Sequence, residues 1–414
     1  MKKENIYPQH FDRRAVLLAG CLIVFIAGQC FADPDAETVD SGNIPKIEAA
    51  FDDATPDELT DEMKTERERI RQELVQKGAE YLELVQSVDG SFSTSPRSGI
   101  GPTIIVLIGL LSNGYPPDHP TVAAGLELLE KSVQDDGGIY TAGGMISGYE
   151  SCLAISCFNL AKNMTGDGRY DKIIADAERY IRGQQFNEIN GTSVDDVYYG
   201  GMGYGNGTRP DLSNTQFFIE TLHELGYGEE DQAIQDALVF VSRCQNLESE
   251  SNPTAFASKN PDGGFFYTCV GDGESPAGTT ENGGLRSYGS ITYAGLKSLI
   301  YAGVDAQDPR IQAAVNWIQE NYSTTSNPGL GKKGLYYYYN TLSKSFDTMK
   351  KEIFIDKEGT RHVWRSEIID ILKKQQQEDG FWVNSDRMWM ENDPNLVTGY
   401  SLIVLSYCRS DGKY

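Results

Sequence analysis

Carboxylic acids are the residues of this sequence with the clearest capacity for chemistry. Glu150 and Asp211 stand beside apolar segments, where a buried acid could donate a proton to an alkene or a glycosidic oxygen. Asp347, Glu391 and Asp393 occupy similar positions, and two carboxylates that face one cleft would suit glycan cleavage. Because 60 of the 414 residues are Asp or Glu, the presence of acids is an unspecific signal. We therefore keep Glu150 and Asp211 as candidate catalytic acids without assigning a reaction.

Cysteine and histidine do not indicate a metal site. Beyond the first 32 residues the sequence has five cysteines and three histidines, and none falls in the short spacing that zinc sites use. His119, His223 and His362 are isolated, so we interpret them as structural residues. The odd number of cysteines does not predict a disulfide framework, although one bridge, for example Cys244 to Cys269, stays open. The sequence predicts no metal and no cofactor.

The 43 glycines mark the elements that must position these residues. Six related turns place Gly, often after Asp or Gly, one or two positions before an apolar residue, as in Asp262-Gly263-Gly264-Phe265. Asp-Gly and Gly-Gly supply the positive φ that a tight turn needs, and the residue that follows can fill the core. The glycines that anchor the six turns are Gly90, Gly138, Gly201, Gly264, Gly334 and Gly380.

A pair of predicted helices flanks each turn. The segment before a turn is amphipathic, as in residues 70–85, where Ile70, Leu74, Leu82 and Val85 share one face. The segment after a turn is apolar nearly all round, so it should be buried on every side. Outer helices that alternate with inner ones predict an all-α fold, an α/α toroid of about six helix pairs, over residues 63–414.

The turns and the inner helices resemble a known repeat. Residues 210–216, 287–296 and 377–382 are similar to the repeat shared by squalene/hopene cyclases and protein prenyltransferase β subunits. The resemblance extends over roughly residues 65–408. It implies the toroid fold much more specifically than any chemistry, because one fold hosts many functions.

The catalytic residues of both enzyme classes are missing at the matching positions. The cyclases carry Asp-x-Asp-Asp at the start of an inner helix, and its middle aspartate is the general acid. Here Asp211 is followed by Leu212, Ser213 and Asn214. The prenyltransferases bind zinc through an Asp-x-Cys pair and a distant His, whereas Tyr267 stands two positions before Cys269. The resemblance therefore implies a relative without the usual acid and without the zinc site.

Aromatic residues gather where the inner helices are predicted to start. The chain has 23 tyrosines beside 16 phenylalanines and 4 tryptophans. We predict an axial cavity for an apolar, isoprenoid-like or peptide ligand, because aromatic faces bind apolar groups and can stabilise a cation. The alternative is that these rings fill the toroid axis as core. The candidate cavity residues are Tyr149, Tyr288, Tyr293, Tyr338, Trp389 and Tyr400.

The N-terminal residues predict export. Lys2, Lys3, Arg13 and Arg14 precede an apolar run at 15–27 and a small-residue site that ends at Ala32, so residues 1–32 read as a signal peptide. Residues 33–62 contain eleven acidic residues and one lysine, which predicts a disordered acidic linker. We expect a periplasmic or secreted protein. A twin-arginine signal, a lipid anchor and an uncleaved N-terminal membrane anchor stay open.

The charge and the motifs together limit which classes of function the sequence supports. A net charge of −24 argues against a nucleic-acid partner, because phosphate binding needs clusters of Lys and Arg. We predict an exported repeat protein that binds an apolar or peptide ligand in an aromatic cavity. Two alternatives stay open: an isoprenoid cyclase or transferase with a non-standard acid, and a structural or protein-interaction module of the cell envelope. The sequence predicts neither a particular ligand nor an oligomeric state.

Overall fold

The computed structural model describes residues 60–95 and 98–409, all within one compact unit of residues 43–414. The predicted signal peptide lies outside the described residues, as does nearly all of the predicted linker. The first helix begins at Asp61, two residues before the predicted start of the toroid. No described helix has both the length and the apolar character that crossing a membrane requires.

Twelve α-helices of the described residues alternate between an outer and an inner layer. The outer helices are α1 (Asp61–Val85), α3 (Pro120–Lys131), α5 (Asp171–Gln184), α7 (Gln232–Arg243), α9 (Pro309–Asn321) and α11 (Trp364–Gln375). The inner helices are α2 (Gly101–Ser112), α4 (Ser147–Thr165), α6 (Leu212–Glu224), α8 (Gly289–Tyr301), α10 (Leu335–Thr348) and α12 (Pro394–Tyr407).

The inner helices form a closed ring. Each packs on the next in the order α2, α4, α6, α8, α10 and α12, and α12 packs back on α2. The outer helices pack on the outside of this ring, for example α5 on α4 and α9 on α8. The predicted fold class, an α/α toroid of six helix pairs, is confirmed.

Burial differs between the two layers as the hydrophobic patterns predict. All residues of α2 are buried, whereas α5 buries only Ile174, Ala177, Tyr180 and Ile181 along one face. A short antiparallel hairpin, β1 (Ile353–Ile355) with β2 (Arg361–Val363), joins α10 to α11, and Ile353 pairs with Val363.

The glycine turn at the end of an outer helix packs against the next outer helix of the ring. Gly200 has φ +80°, and a Cβ built there would lie 1.8 Å from the carbonyl oxygen of Asp236 in α7, so only glycine fits. Gly380 has φ +92° and approaches the carbonyl of Lys77 in α1, so the last turn closes the ring against the first helix. In the three anchor turns that contain a Gly-Gly pair, the positive φ falls on the first glycine, one position before the predicted anchor. These are Gly137, Gly200 and Gly263.

Glutamines at the ends of outer helices strengthen the same turns. Gln185 donates hydrogen bonds to the carbonyl oxygens of Gly200 and Ala233, which links the turn to the first residues of α7. Gln376 donates hydrogen bonds to the carbonyl oxygens of Gly380 and Leu74, which links the last turn to α1. In five turns the residue two positions after the positive-φ glycine is buried, and its N–H donates to a Ser or Thr of the following inner helix. These residues are Phe92, Ile139, Met202, Phe265 and Trp382.

Candidate functional site

The N-termini of the inner helices meet at one mouth of the toroid, and carboxylates cap several of them. Glu150 is fully buried, and its Oε1 accepts hydrogen bonds from the N–H groups of Ile100 and Gly101 at 2.8 and 3.2 Å, at the start of α2. Its Oε2 accepts from the Thr141 N–H at 2.8 Å. Burial raises the pKa of Glu150, while these donors act in the opposite direction. Both oxygens of this candidate acid therefore accept hydrogen bonds from backbone N–H groups.

Asp211, the other candidate acid, is the N-cap of α6. Its Oδ1 accepts from the Asn214 N–H at 2.8 Å, and its Oδ2 accepts from the Asn214 side-chain amide at 2.7 Å. Burial raises the pKa of Asp211 to about 6, although the Asn214 and Tyr267 hydrogen bonds oppose the shift. Asn214 and Tyr267 line an aromatic cavity at this mouth, whereas Asp211 itself does not.

The remaining acids also have structural partners. Glu391 accepts from the Tyr337 N–H in the first turn of α10 at 2.8 Å and from the Asn384 side chain at 2.6 Å. Asp393 caps its own helix, α12, by accepting from the Asn395 N–H at 2.9 Å. Asp347 lies at the opposite end of the toroid, where Arg365 donates to it at 2.7 Å. The structure thus gives each acid a structural partner.

An aromatic cavity of about 200 Å³, here called the N-terminal cavity, opens among these helix starts. Gly101 and Pro102 of α2 supply the small residues that leave space. Phe217, Leu396 and Trp389 contribute apolar surface. Six tyrosines line the wall: Tyr149, Tyr204, Tyr267, Tyr288, Tyr337 and Tyr400.

The rings of the cavity form a continuous belt from helix to helix. Tyr149 of α4 meets Phe217 of α6 edge to face, with ring centroids 5.2 Å apart, and Phe217 in turn lies 6.2 Å from Tyr337 of α10. Tyr337 contacts Tyr400 of α12 at 6.3 Å, and the Tyr400 hydroxyl returns to that of Tyr149 at 3.5 Å. Each ring is held by its neighbours, so the cavity wall is preorganised.

Polar groups interrupt this belt at a few points. The Ser213 and Tyr337 hydroxyls lie 3.1 Å apart. Burial raises the pKa of Tyr149 to about 12 and raises that of Tyr204, so both hydroxyls stay protonated at neutral pH. Asn214 Oδ1 has no hydrogen-bond partner, although the residue is only 3% exposed.

The cavity wall is almost free of charge. Its lining residues include neither Lys nor Arg nor His, and the single ionisable carboxyl among them is Glu391. That carboxyl already accepts hydrogen bonds from the Tyr337 N–H and the Asn384 side chain. The wall can therefore surround an apolar group and offer hydroxyls, but its lining residues present no cation to an anionic ligand.

The rim of the cavity carries strained, exposed apolar residues. Trp389 and Met390 line the cavity with φ of 53° and 62°, a left-handed conformation that is unfavourable for large side chains. Both side chains are partly exposed. Backbone strain of this kind costs roughly 1–3 kcal/mol per residue and tends to persist at binding and catalytic sites.

The predicted cavity residues divide into two groups. Tyr149, Tyr288, Trp389 and Tyr400 meet at the N-terminal cavity. Tyr293 and Tyr338 lie in the core instead, where their rings contact each other at 5.7 Å. Their side chains leave α8 and α10 towards the neighbouring helix rather than the axis, and the Tyr338 hydroxyl donates to the Ser323 carbonyl at 2.7 Å.

Several lining residues were not predicted. Tyr337 belongs to the four-tyrosine run at the start of α10, and helical phase could have distinguished it from Tyr338. Tyr204 and Tyr267 come from loops, so no periodic pattern marks them. The one sequence signal at Ser213 and Asn214 is that they stand where the cyclases that the sequence resembles carry acids.

A second, more polar cavity of about 570 Å³ lies at the C-terminal ends of the inner helices. Between the two cavities, buried Glu220 of α6 accepts hydrogen bonds from Lys297 of α8 and Lys344 of α10. Glu224 borders the second cavity. These charges separate the aromatic cavity from the opposite mouth.

None of the histidines and cysteines of the described residues lines the aromatic cavity. His223 stacks on Tyr301 at 3.9 Å, and His362 lies between Asp356 and Glu367. All five cysteines from residue 60 to 409 are buried free thiols, so the Cys244–Cys269 bridge that the sequence left open is not formed in this structure. Within the same residues no group of three His, Cys, Asp or Glu side chains could hold a metal ion.

Comparison with known proteins supports the architecture. No protein-family model matches the chain, and no curated protein matches its sequence. A variant of the type II terpene cyclase MstE from Scytonema, solved in complex with its product merosterolic acid A, is similar with a TM-score of 0.50 and 11% identity, covering 84% of this chain and 99% of that one. An unsaturated glucuronyl hydrolase specific for heparin is similar with a TM-score of 0.52 and 11% identity, covering 82% and 97%.

The chain shares the α/α toroid fold of these enzymes. The two neighbours act on unrelated substrates, so at this identity the likeness extends to the fold alone. The predicted resemblance to cyclase-type toroids is therefore confirmed at the level of the fold.

Proposed function

We propose that the protein binds a small, neutral, isoprenoid-like ligand in the N-terminal cavity. The observation that carries the proposal is a cavity of about 200 Å³ walled by six tyrosines, Phe217 and Trp389 and lined by no cationic side chain. Such a wall favours apolar groups through burial and ring contacts. A variant of a toroid of the same fold, the type II terpene cyclase MstE, has been solved with its product merosterolic acid A, which supports this ligand class by analogy.

Polarity and charge favour this class over its alternatives. A peptide would bring backbone N–H and C=O groups that a mostly aromatic wall leaves largely without partners. A prenyl diphosphate would bring several negative charges to a wall without Lys or Arg. A proton-donating enzyme would need a free acid, whereas Glu150, Asp211 and Glu391 are engaged with backbone or amide donors.

Cellular location belongs to the same proposal. The basic and apolar N-terminal residues support export to the periplasm or the medium, and the low net charge of the cavity wall is compatible with collecting a neutral lipid-like compound there. Fusion of residues 1–32 to a reporter enzyme that is active only after export tests this part. A reporter that stays in the cytoplasm would contradict it.

Tryptophan fluorescence tests ligand binding directly. Trp389 lines the cavity, whereas Trp317, Trp364 and Trp382 are buried in the core. We expect geraniol, a neutral ten-carbon terpenoid, to change the fluorescence of the full chain in a saturable manner. Ser213→Phe, which places a ring inside the cavity, should abolish the change.

The control variant is Ser193→Phe, because Ser193 is exposed and does not line the cavity. It should titrate like the unmodified protein. A saturable signal of equal size in both variants would place binding elsewhere, and no signal in any form would contradict the proposed function.

A further inference from the structure

Two of the buried thiols lie side by side in the fold. Cys244 is the C-cap of α7, and Cys269 lies in the loop after the fourth glycine turn, two residues beyond the cavity residue Tyr267. Their exposed fractions are 0% and 2%. The Cys244 thiol interacts with both the side chain and the N–H group of Cys269. The two sulfur atoms are therefore neighbours, as a disulfide requires.

An antiparallel backbone pairing brings the two cysteine-bearing segments together. The Phe266 N–H donates to the Cys244 carbonyl oxygen at 3.0 Å, and Gln245 forms a β-bridge with Phe265. Cys269 follows Phe266 by three residues and contacts the Cys244 thiol. The two thiols thus meet through hydrogen bonds of the backbone itself.

A third stretch of chain contacts both segments. Arg243 donates to the Asp196 carbonyl oxygen at 2.6 Å, and the Cys269 thiol donates to the Val197 carbonyl oxygen at 3.9 Å. Since Arg243 directly precedes Cys244, two consecutive carbonyl groups hold the surroundings of both cysteines. The pairing of the thiols therefore has support on two sides.

The other three cysteines of the described residues are differently placed. Cys152 and Cys157 lie five residues apart in α4, so their side chains leave the helix about 140° apart. Cys152 interacts with Thr221, and Cys408, the C-cap of α12, lies near Arg365. The five thiols thus comprise one adjacent pair and three single residues.

We propose that Cys244 and Cys269 form a disulfide when the protein folds in an oxidising compartment. The oxidant is itself a disulfide, either of a small thiol compound or of a thiol–disulfide oxidoreductase. One cysteine thiolate attacks it and releases a thiolate, and the second cysteine thiolate then attacks the mixed disulfide and releases the other. The two released thiolates take up the two protons, so the protein thiols are oxidised and one external disulfide is reduced to two thiols.

The exchange belongs to folding rather than to the folded protein. Burial raises the pKa of the Cys244 thiol well above its ordinary value, so almost no thiolate is present once the toroid has formed. A bond in the folded protein therefore means that folding took place where disulfides form. The inference depends on the export that is part of the proposed function, and it is independent of the ligand.

The bond would link the end of α7 to a loop of the cavity wall. The Tyr267 carbonyl oxygen accepts from the N–H of Leu212, the first residue of α6, at 2.8 Å. A disulfide restricts the unfolded chain and so stabilises the folded protein. Reduction should therefore weaken the part of the fold that positions Tyr267.

Peptide mapping of the full chain, isolated from its host without reductant, tests the pairing. Iodoacetamide in denaturant first blocks every free thiol. Trypsin then cuts after Arg243, Lys259 and Arg286, so the two cysteines fall into separate peptides, 244–259 and 260–286. We expect these peptides to be joined, with a mass two hydrogen atoms below their sum, and the other three cysteines to carry the carbamidomethyl group.

Matched variants connect the bond to stability. Cys244→Ser removes the bond, whereas Cys157→Ser changes a buried thiol that has no cysteine partner. Dithiothreitol should lower the urea midpoint of the unmodified chain and of Cys157→Ser, and it should leave that of Cys244→Ser unchanged. The peptide map of the unmodified chain stays decisive if a variant does not fold.

The outcomes separate this inference from the proposed function. Carbamidomethyl groups on both Cys244 and Cys269 would overturn the pairing, as would a bond from either residue to a third cysteine. If the reporter fused to residues 1–32 is exported, free thiols overturn the disulfide alone. A reporter that stays in the cytoplasm overturns the export, and the disulfide inference with it, without bearing on the ligand.

Discussion

Asp211 illustrates how single carboxylates are used in this toroid. It would be read as a catalytic acid from its place in the motif, yet it caps α6 and is held by the backbone and side chain of Asn214. Glu150 and Glu391 have the same kind of role at the starts of α2 and α10. The positive ends of helix dipoles favour negative charge, which explains why acids collect at this mouth.

The shifted pKa of Asp211 predicts a pH dependence of stability. Its pKa is about 6 in the folded protein, above the ordinary value of 3.8, because burial disfavours the charged form. Between these two pH values the folded state binds more protons than the unfolded state, so the free energy of unfolding should fall as pH rises from about 4 to 6. The loss is at most about 3 kcal/mol. Asp211→Asn keeps an N-cap and should remove this part of the pH dependence in urea unfolding.

Asp231 serves as a control, because its pKa is lowered in the folded protein whereas that of Asp211 is raised. It caps α7, and although burial alone would raise its pKa, hydrogen bonds from Arg182 outweigh burial and lower it. Asp231→Asn should therefore cost stability at neutral pH and little below the pKa of Asp231. An Asp211→Asn protein with an unchanged pH profile would show that Asp211 does not titrate in this range.

At the scale of elements, the glycine turns determine how outer helices are spaced. We expect Gly200→Ala to lower the free energy of unfolding by about 3 kcal/mol or more, because the added Cβ meets the Asp236 carbonyl in a conformation that is already strained. Gly191→Ala is the matched control: Gly191 has φ +88° but no atom near its Cβ, so the variant should lose only about 1 kcal/mol. Chemical denaturation measures both, and equal losses would contradict the role of close helix approach.

The sequence predicted the elements better than the directions of their side chains. Glycine turns and the contrast between amphipathic and wholly apolar segments are local patterns, so the six helix pairs could be predicted. The run Tyr336–Tyr339 shows the limit, because consecutive helical residues point about 100° apart and only Tyr337 faces the cavity. Tyr204 and Tyr267 depend on loop conformations that no period encodes. The sequence could not assign a role to the acids, because an N-cap and a catalytic acid use the same residue type, so the catalytic role of Glu150 and Asp211 stays a prediction.

At the scale of the whole molecule, buried charges join three inner helices across the axis. Glu220 of α6 binds Lys297 of α8 and Lys344 of α10, and all three side chains are buried. Glu220→Gln leaves two ammonium groups without their shared carboxylate. We expect a loss of about 3–5 kcal/mol, measured by urea denaturation.

A compensated variant distinguishes charge balance from packing. Glu220→Leu combined with Lys297→Met and Lys344→Met removes every charge of the cluster and should lose less stability than Glu220→Gln alone. A triple variant that is less stable than the single one would show that the ionic contacts themselves hold the helices together.

The central claim is that the toroid axis ends in a ligand cavity rather than in a core filled by tyrosines. Native mass spectrometry of the full chain, purified from its host without detergent or denaturant, tests this most directly. The account predicts a species heavier by the mass of one neutral terpenoid, which is absent from Ser213→Phe and present in Ser193→Phe. Identical, ligand-free masses for all three proteins, before and after incubation with geraniol, would contradict it.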